Sequence, residues 1–132
     1  MSAALTYLVL SVALCWLMLI AASMVRSEGW TPRGLLKAFG NRDDLGEASA
    51  LAGRMDRAAK NMLENLLLFG LLVLAAQAAG KGADPRVATG AMLFFWARLA
   101  YAPLYWAGVK FLRTAVWAIG VIGMLMIGVA LV

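Results

Sequence analysis

A short polar stretch runs directly into an apolar segment of this 132-residue chain and offers the side chains best suited to chemistry. Arg57, Asn61 and Glu64 have the spacing of one helical face. The apolar run that follows, residues 66–79, is too short to cross a bilayer, which needs about 20 residues. A membrane span here must include Glu64, although a carboxylate in hydrocarbon costs at least about 2.5 kcal/mol. Because such a residue is normally kept for a function, we interpret this stretch as part of a site.

A second polar stretch, in the next apolar segment, has a matching arrangement. Arg98, Tyr101 and Tyr105 share one helical face. If the two segments are antiparallel neighbours, a rise of about 1.5 Å per residue brings their polar side chains to equal depths. The pairs at equal depth are Glu64 with Arg98, Asn61 with Tyr101, and Arg57 with Tyr105. The sequence therefore predicts a buried Glu64–Arg98 ion pair, which could belong to a site or could be a structural ion pair that only holds the helices together.

Arg113 lies just before the last apolar segment, at the mouth where the two polar faces would open. Together these side chains predict a polar cavity that is lined by cations and phenols and opens to the cytoplasm. Such a cavity suits a small anionic ligand. Two alternatives stay open. Arg54 and Arg57 could extend to lipid headgroups, and Tyr105 could be an ordinary aromatic residue of the membrane interface.

Four apolar segments must hold these residues in place. Hydrophobic residues make up 64% of the chain, more than a soluble domain of this size can bury. We therefore predict an all-α integral membrane protein, a single four-helix bundle over residues 1–132. The predicted spans are approximately residues 3–25, 57–79, 87–108 and 114–132. Gly120, Gly123 and Gly128 in the last span are expected to allow close helix approach.

Charge and composition restrict what such a bundle can do. The net charge is +5, with Lys and Arg concentrated in the first and third loops. This bias predicts that those loops are cytoplasmic and both termini outside. We therefore interpret the positive charge as a signal of membrane topology and expect no nucleic-acid partner. The chain has no histidine, the commonest general base and metal ligand. Its single cysteine, Cys15, cannot form an internal disulfide or a thiolate cage, so we expect no metal and a packing role.

The first loop contains signals for local helix starts. Thr31 and Pro32 fit an N-cap followed by proline at the first helical position. We expect a short helix in the membrane interface, with Trp30 as an anchor. Asp44 and Glu47 have the spacing of a capping box, so the helix of the second span is expected to begin well before the membrane.

Two of these patterns together resemble the signature of the membrane-associated proteins in eicosanoid and glutathione metabolism, the MAPEG family. Residues 57–64, followed by Phe69, are similar to the motif of the family's second helix. Residues 97–105 are similar to the motif of its third helix. Arg113 and Thr114 fall where the family carries the arginine of its fourth helix. The resemblance covers nearly the whole chain, including its length and its four spans.

The resemblance implies a bacterial-type member of the family, a homotrimer in a bacterial inner membrane with a glutathione site between neighbouring subunits. Arg113 would stabilise the glutathione thiolate, and Thr114 would either donate a hydrogen bond to the sulfur or cap the helix. The other glutathione contacts map onto Arg57, Lys60, Asn61, Glu64, Tyr101 and Tyr105. Lys60 stands where some members have arginine. Trp117 replaces a tyrosine of some synthases, and Asn65 replaces an aromatic residue of other members.

The family resemblance implies the first two of three candidate functions, and the lone membrane glutamate suggests the third. The leading one is a glutathione-dependent transferase or peroxidase, with glutathione as co-substrate and a lipophilic electrophile arriving through the bilayer. The second is a non-catalytic lipid-binding or scaffold protein of the same fold, because the family includes a member that binds lipid and catalyses nothing. The third is a small proton-coupled exporter of cations. The arginines near Glu64 would repel a cationic substrate, so the exporter ranks last.

Overall fold

The computed structural model describes residues 1–43 and 45–132, and this part of the chain forms five α-helices. They are α1 (Ala3–Ser27), α2 (Pro32–Phe39), α3 (Ala50–Ala78), α4 (Pro85–Trp106) and α5 (Lys110–Leu131). Within the described residues, α1, α3, α4 and α5 are long and apolar enough to cross a membrane. The predicted all-α bundle with four membrane-spanning helices is therefore confirmed.

Capping explains why α3 begins earlier than the predicted span. It starts at Ala50, because the Ser49 hydroxyl accepts a hydrogen bond from the Ala52 amide at 3.1 Å. The capping box expected at Asp44 and Glu47 includes Asp44, which lies outside the described residues. With 29 residues, α3 is about 43 Å long, more than the roughly 30 Å of the hydrocarbon core. A helix of that length must either tilt in the membrane or extend beyond the hydrocarbon core.

The short helix expected after Trp30 is present as α2. Thr31 is its N-cap, and the Thr31 hydroxyl accepts a hydrogen bond from the Gly34 amide at 2.9 Å. Large apolar side chains project outward from this region. Leu36 is 74% exposed and Phe39 is 81% exposed, and Trp30 is exposed as well. The helix is therefore confirmed, whereas its location in the membrane interface, which suits such an apolar surface, stays a prediction.

Glycines set the distance between α4 and α5. A Cβ atom on either Gly90 or Gly123 would collide with the backbone carbonyl oxygen of the other. Gly120 also packs against α4, where an added Cβ would lie 3.7 Å from Ala97 Cβ. An added Cβ on Gly128 would meet open space within the described residues. The prediction of close helix approach is confirmed for Gly123 and is wrong for Gly128 within one chain, whereas a Cβ on Gly120 would make only ordinary van der Waals contacts.

Contacts between residues far apart in sequence hold the bundle together. The rings of Phe69 on α3 and Phe94 on α4 stack with their centroids 4.0 Å apart in the buried core. Cys15 belongs to the same core, which confirms its packing role. At one end of the bundle the Lys81 ammonium donates a hydrogen bond to the Ala130 carbonyl at 3.0 Å. This bond satisfies a carbonyl group in the last turn of α5 that has no helical partner.

Candidate functional site

An open cavity of about 530 Å³ lies where α3 begins, α4 ends and α5 begins. Its charged lining residues are Arg54, Arg57, Lys110 and Arg113. Its other lining residues are Ala48, Ser49, Ala50, Gly53, Tyr105 and Gly108. No acidic side chain lines the cavity in the part of the chain that the structure describes. Four cations without a counter-charge create a potential that favours an anion.

A smaller cavity of about 180 Å³ shares Arg113 with the large one. Its other lining residues are Asn61, Tyr101, Thr114 and Trp117. The structure therefore collects most of the predicted site residues in two cavities with Arg113 common to both. The predicted residues collected in this way are Arg57, Asn61, Tyr101, Tyr105, Arg113 and Thr114.

Four side chains form a continuous stack in which two guanidinium groups enclose two phenol rings. The Arg98 Cζ lies 4.2 Å from the centroid of the Tyr101 ring. The Tyr101 and Tyr105 rings are 5.5 Å apart and inclined by 53°. The Arg113 Cζ, from α5, lies 4.2 Å from the centroid of the Tyr105 ring. These separations are typical of cation–π and aromatic contacts. We call these four residues the arginine–tyrosine stack.

Arg54 has a role that the sequence patterns did not reveal. Its Nε donates a hydrogen bond to the Trp106 carbonyl at 2.9 Å, and the rest of the side chain lines the large cavity. That carbonyl is one of the last in α4, which have no helical donor. The contact gives Arg54 a role within the bundle, and the alternative that its terminal nitrogens reach lipid headgroups stays a prediction. The signal that could have found this role is Gly108, which marks the end of α4 next to the Arg54 side chain.

Asn65 supports Asn61 from one turn further along α3. The Asn65 amide donates to the Asn61 carbonyl at 2.9 Å and approaches the Asn61 Oδ1 at 3.3 Å. With its oxygen occupied in this way, the Asn61 side chain has its amide hydrogens free for the smaller cavity, which it lines. In the sequence, Asn65 stood out only as a departure from the family. Its i, i+4 spacing from Asn61 was the signal that could have predicted their contact.

Arg113 lies in the first turn of α5, which begins at Lys110 and not at the predicted position 114. Val109 is the N-cap and contributes no side-chain hydrogen bond within the described residues. Thr114 lies inside the helix, and its hydroxyl donates to the Lys110 carbonyl at 3.2 Å. Thr114 therefore does not cap the helix, and that alternative is wrong. Two cations at a helix N-terminus oppose the helix dipole, an arrangement that an anionic ligand would relieve.

The predicted ion pair between Glu64 and Arg98 is absent from the described residues. Arg98 is only 1% exposed, and none of its guanidinium nitrogens has a hydrogen-bond partner in the described chain. Glu64 is exposed on α3, as is Lys60, and neither lines either cavity. The prediction is wrong for contacts within one chain. Equal depth places two side chains at the same level of the membrane but does not fix the rotation of each helix about its own axis. In the structure those rotations turn Glu64 outward and Arg98 inward.

The fold and the site together define a class: a multi-pass membrane bundle of four long helices with a cationic cavity at one end. The model of the MAPEG family matches residues 3–132, nearly the whole chain. The chain therefore belongs to the MAPEG family, and the resemblance carried by its two motifs is confirmed. Comparisons with curated proteins and with solved structures gave no match. The family includes glutathione transferases and peroxidases as well as members with other functions.

Proposed function

We propose that this protein is a glutathione-dependent transferase or peroxidase that acts on lipophilic electrophiles entering from the bilayer. The observation that carries the proposal is the position of Arg113, which lines both cavities. The large cavity has a volume of about 530 Å³, within the usual range for small-molecule sites. Its cations suit the two carboxylates of glutathione. A thiol in the smaller cavity would lie beside the Arg113 guanidinium.

Arg113 supports the reaction by favouring thiolate over thiol. A guanidinium beside the sulfur lowers the pKa of the thiol, and the thiolate is the nucleophile. The proton leaves to solvent, and the sulfur electron pair forms the new bond to an electrophilic carbon. The leaving group, or the oxygen of an epoxide, takes the electrons of the bond that breaks. A hydroperoxide would be attacked at oxygen and would need a second glutathione to form the disulfide product. The Thr114 hydroxyl already donates its hydrogen to a backbone carbonyl. Stabilisation of the thiolate sulfur therefore depends on Arg113 and Tyr101.

The exposed polar face of α3 supports the homotrimer that the family resemblance implies. The apolar part of α3, residues 66–78, is about 20 Å long, less than the hydrocarbon core. The bilayer must therefore also meet Glu64 and Lys60, which are exposed in the single chain. Charged groups at that depth are costly in lipid. A neighbouring subunit against this face would remove the cost and would bring Glu64 close to the ammonium group of a shared ligand.

The charge bias of the loops supports an orientation in which the large cavity opens to the cytoplasm. Labelling of single cysteines introduced at Asp43 and Asp84 tests it, with the buried Cys15 as an unreactive background. We expect Asp43→Cys to react only from the cytoplasmic side and Asp84→Cys only from outside. The opposite pattern would refute this orientation.

The central experiment compares Arg113→Ala with the parent and with Arg113→Lys. We expect Arg113→Ala to lose most conjugation of glutathione to a generic electrophile and to lose the ultraviolet band of the bound thiolate. Much of the binding should remain, because Arg54 and Arg57 still line the cavity. Arg113→Lys should recover part of both signals, since it keeps a charge without the planar donor geometry. Arg86→Ala, at an exposed position in the first turn of α4 far from both cavities along the helix, is the control. Undiminished turnover in Arg113→Ala would remove the role proposed for Arg113.

A non-catalytic lipid-binding function is the alternative that a specific observation favours. Apolar grooves of about 390 and 430 Å³ flank α3, against α1 and α5 respectively. Either groove could hold an acyl chain. A parent protein that binds glutathione or lipid but shows neither a thiolate band nor turnover would support this alternative. The cationic lining of the large cavity disfavours a cation exporter.

A further inference from the structure

The arginine–tyrosine stack leads from the large cavity into the interior of the bundle, where it ends at a charge that the proposed mechanism does not use. We propose that Arg98 is a positioning residue. Through Tyr101 and Tyr105 it holds the Arg113 guanidinium in the orientation that acts on the bound thiol. This inference rests on the proposed function, because the thiol is the group on which Arg113 acts.

The surroundings of Arg98 are unusual for a buried cation. Its guanidinium has no hydrogen-bond partner or carboxylate within the described residues, although the residue is almost fully enclosed. Buried charges are normally paired and hydrogen-bonded, and an unpaired one lowers stability. An apolar side chain of similar volume would fill the space without that cost. Packing alone therefore does not explain why a charged residue occupies this position. The Arg98 guanidinium makes a cation–π contact with the Tyr101 ring, whose centroid lies 4.2 Å from Cζ.

The two tyrosines connect this contact to the cavity. Their rings lie 5.5 Å apart, so neither ring can change its orientation without displacing the other. Tyr105 presents its face to Arg113, which belongs to a different helix. Arg113 forms no ion pair among the described residues. The Tyr105 ring is thus the contact that fixes the direction of its guanidinium.

The charge of Arg98 also acts on the hydroxyl of Tyr101. A cation on the face of a phenol ring withdraws electron density and makes the hydroxyl a stronger hydrogen-bond donor. Tyr101 lines the smaller cavity together with Arg113, so both groups can stabilise the same thiolate. The residues that would bind the carboxylates, Arg54 and Arg57, lie outside the stack. Loss of the Arg98 charge should therefore change thiol ionisation and kcat more than KM.

The first test compares Arg98→Met with Arg98→Lys in the intact protein in detergent or nanodiscs. Arg98→Met should raise the apparent pKa of bound glutathione, measured from the thiolate band against pH. It should lower kcat by up to about thirtyfold, the factor that corresponds to one desolvated cation–π contact, with a smaller change in KM. Arg98→Lys should recover part of both losses, which a purely structural role would not explain. A folded Arg98→Met protein with the parent's thiol pKa and kcat would overturn the proposal.

A second pair of variants keeps the proposal testable if Arg98→Met does not fold. Tyr105→Phe retains the aromatic face and should keep the thiol pKa close to that of the parent, whereas Tyr105→Leu should raise it. Equal behaviour of the two would refute transmission through the ring. The rate of phenylglyoxal modification of Arg113, measured by peptide mass spectrometry, gives a readout that needs no glutathione. We expect faster modification in Tyr105→Leu than in Tyr105→Phe. A parent that binds no glutathione would refute the proposed function, and the modification rates would still decide whether the stack holds Arg113.

Discussion

Gly123→Ala should destabilise the bundle, because α5 crosses α4 at this glycine. An added methyl group would collide with the Gly90 carbonyl oxygen and lie 3.1 Å from the Phe94 amide nitrogen and 3.2 Å from Leu93 Cβ. Two of these three atoms belong to the backbone and cannot rotate away, so the helices would have to separate. Overpacking of this kind costs about 1–3 kcal/mol. Alanine gains roughly 1 kcal/mol over glycine in helix propensity, so the net loss should reach about 2 kcal/mol at the upper end of this range.

Gly128→Ala is the matched control on the same helix. An added Cβ at this position meets open space in the described structure, so only the propensity term applies and stability should rise by up to about 1 kcal/mol. Denaturant unfolding of both variants in the same detergent measures the difference. The two substitutions are expected to change the free energy of unfolding in opposite directions. A Gly123→Ala protein at least as stable as Gly128→Ala would refute the close crossing.

Three further outcomes follow from single contacts. Lys81→Met removes a charged cap from the last carbonyls of α5 and should lower the free energy of unfolding by about 1 kcal/mol. Asn65→Asp removes the amide that donates to Asn61, so glutathione should bind several-fold more weakly by calorimetry. Hydrogen bonds from Arg86 hold the pKa of Asp84 below its ordinary value. That stabilisation is present above the unfolded pKa of about 3.9 and is lost as pH falls through the lowered folded value. Asp84→Asn should therefore be less stable than the parent near neutral pH and should match it in strong acid.

The features that were predicted correctly are those fixed within one helix. The number of spans follows from apolar runs long enough to cross a bilayer. The shared face of Arg98, Tyr101 and Tyr105 follows from helical periodicity alone. The contact between Arg54 and the Trp106 carbonyl joins residues 52 positions apart. No periodic pattern contains such a pair, because it depends on where α4 stops and how α3 packs beside it.

The Glu64–Arg98 prediction failed for a related reason, since depth along the membrane normal is only one of the two coordinates that place a side chain. The second coordinate is the rotation of the helix about its own axis. That rotation is set by the packing of the whole apolar face. The same rotation of α3 that buries Phe69 in the core turns Glu64 to the outside. Periodicity can therefore predict correctly which side chains share a face of one helix, while the predicted contact with a neighbouring helix is still wrong.

This rotation of α3 separates the two kinds of charge that a zwitterionic ligand would need. Within one chain the large cavity offers cations from α3 and α5 and no carboxylate among its described lining residues. The proposed ligand, glutathione, would find cations there for its carboxylates but no partner for its ammonium group among those residues. Glu64 has the required charge, yet it faces away from the cavity of its own chain. Under the proposed trimer the complete binding site requires a neighbour, because the carboxylate that one chain turns outward is the group that the cavity of another chain lacks.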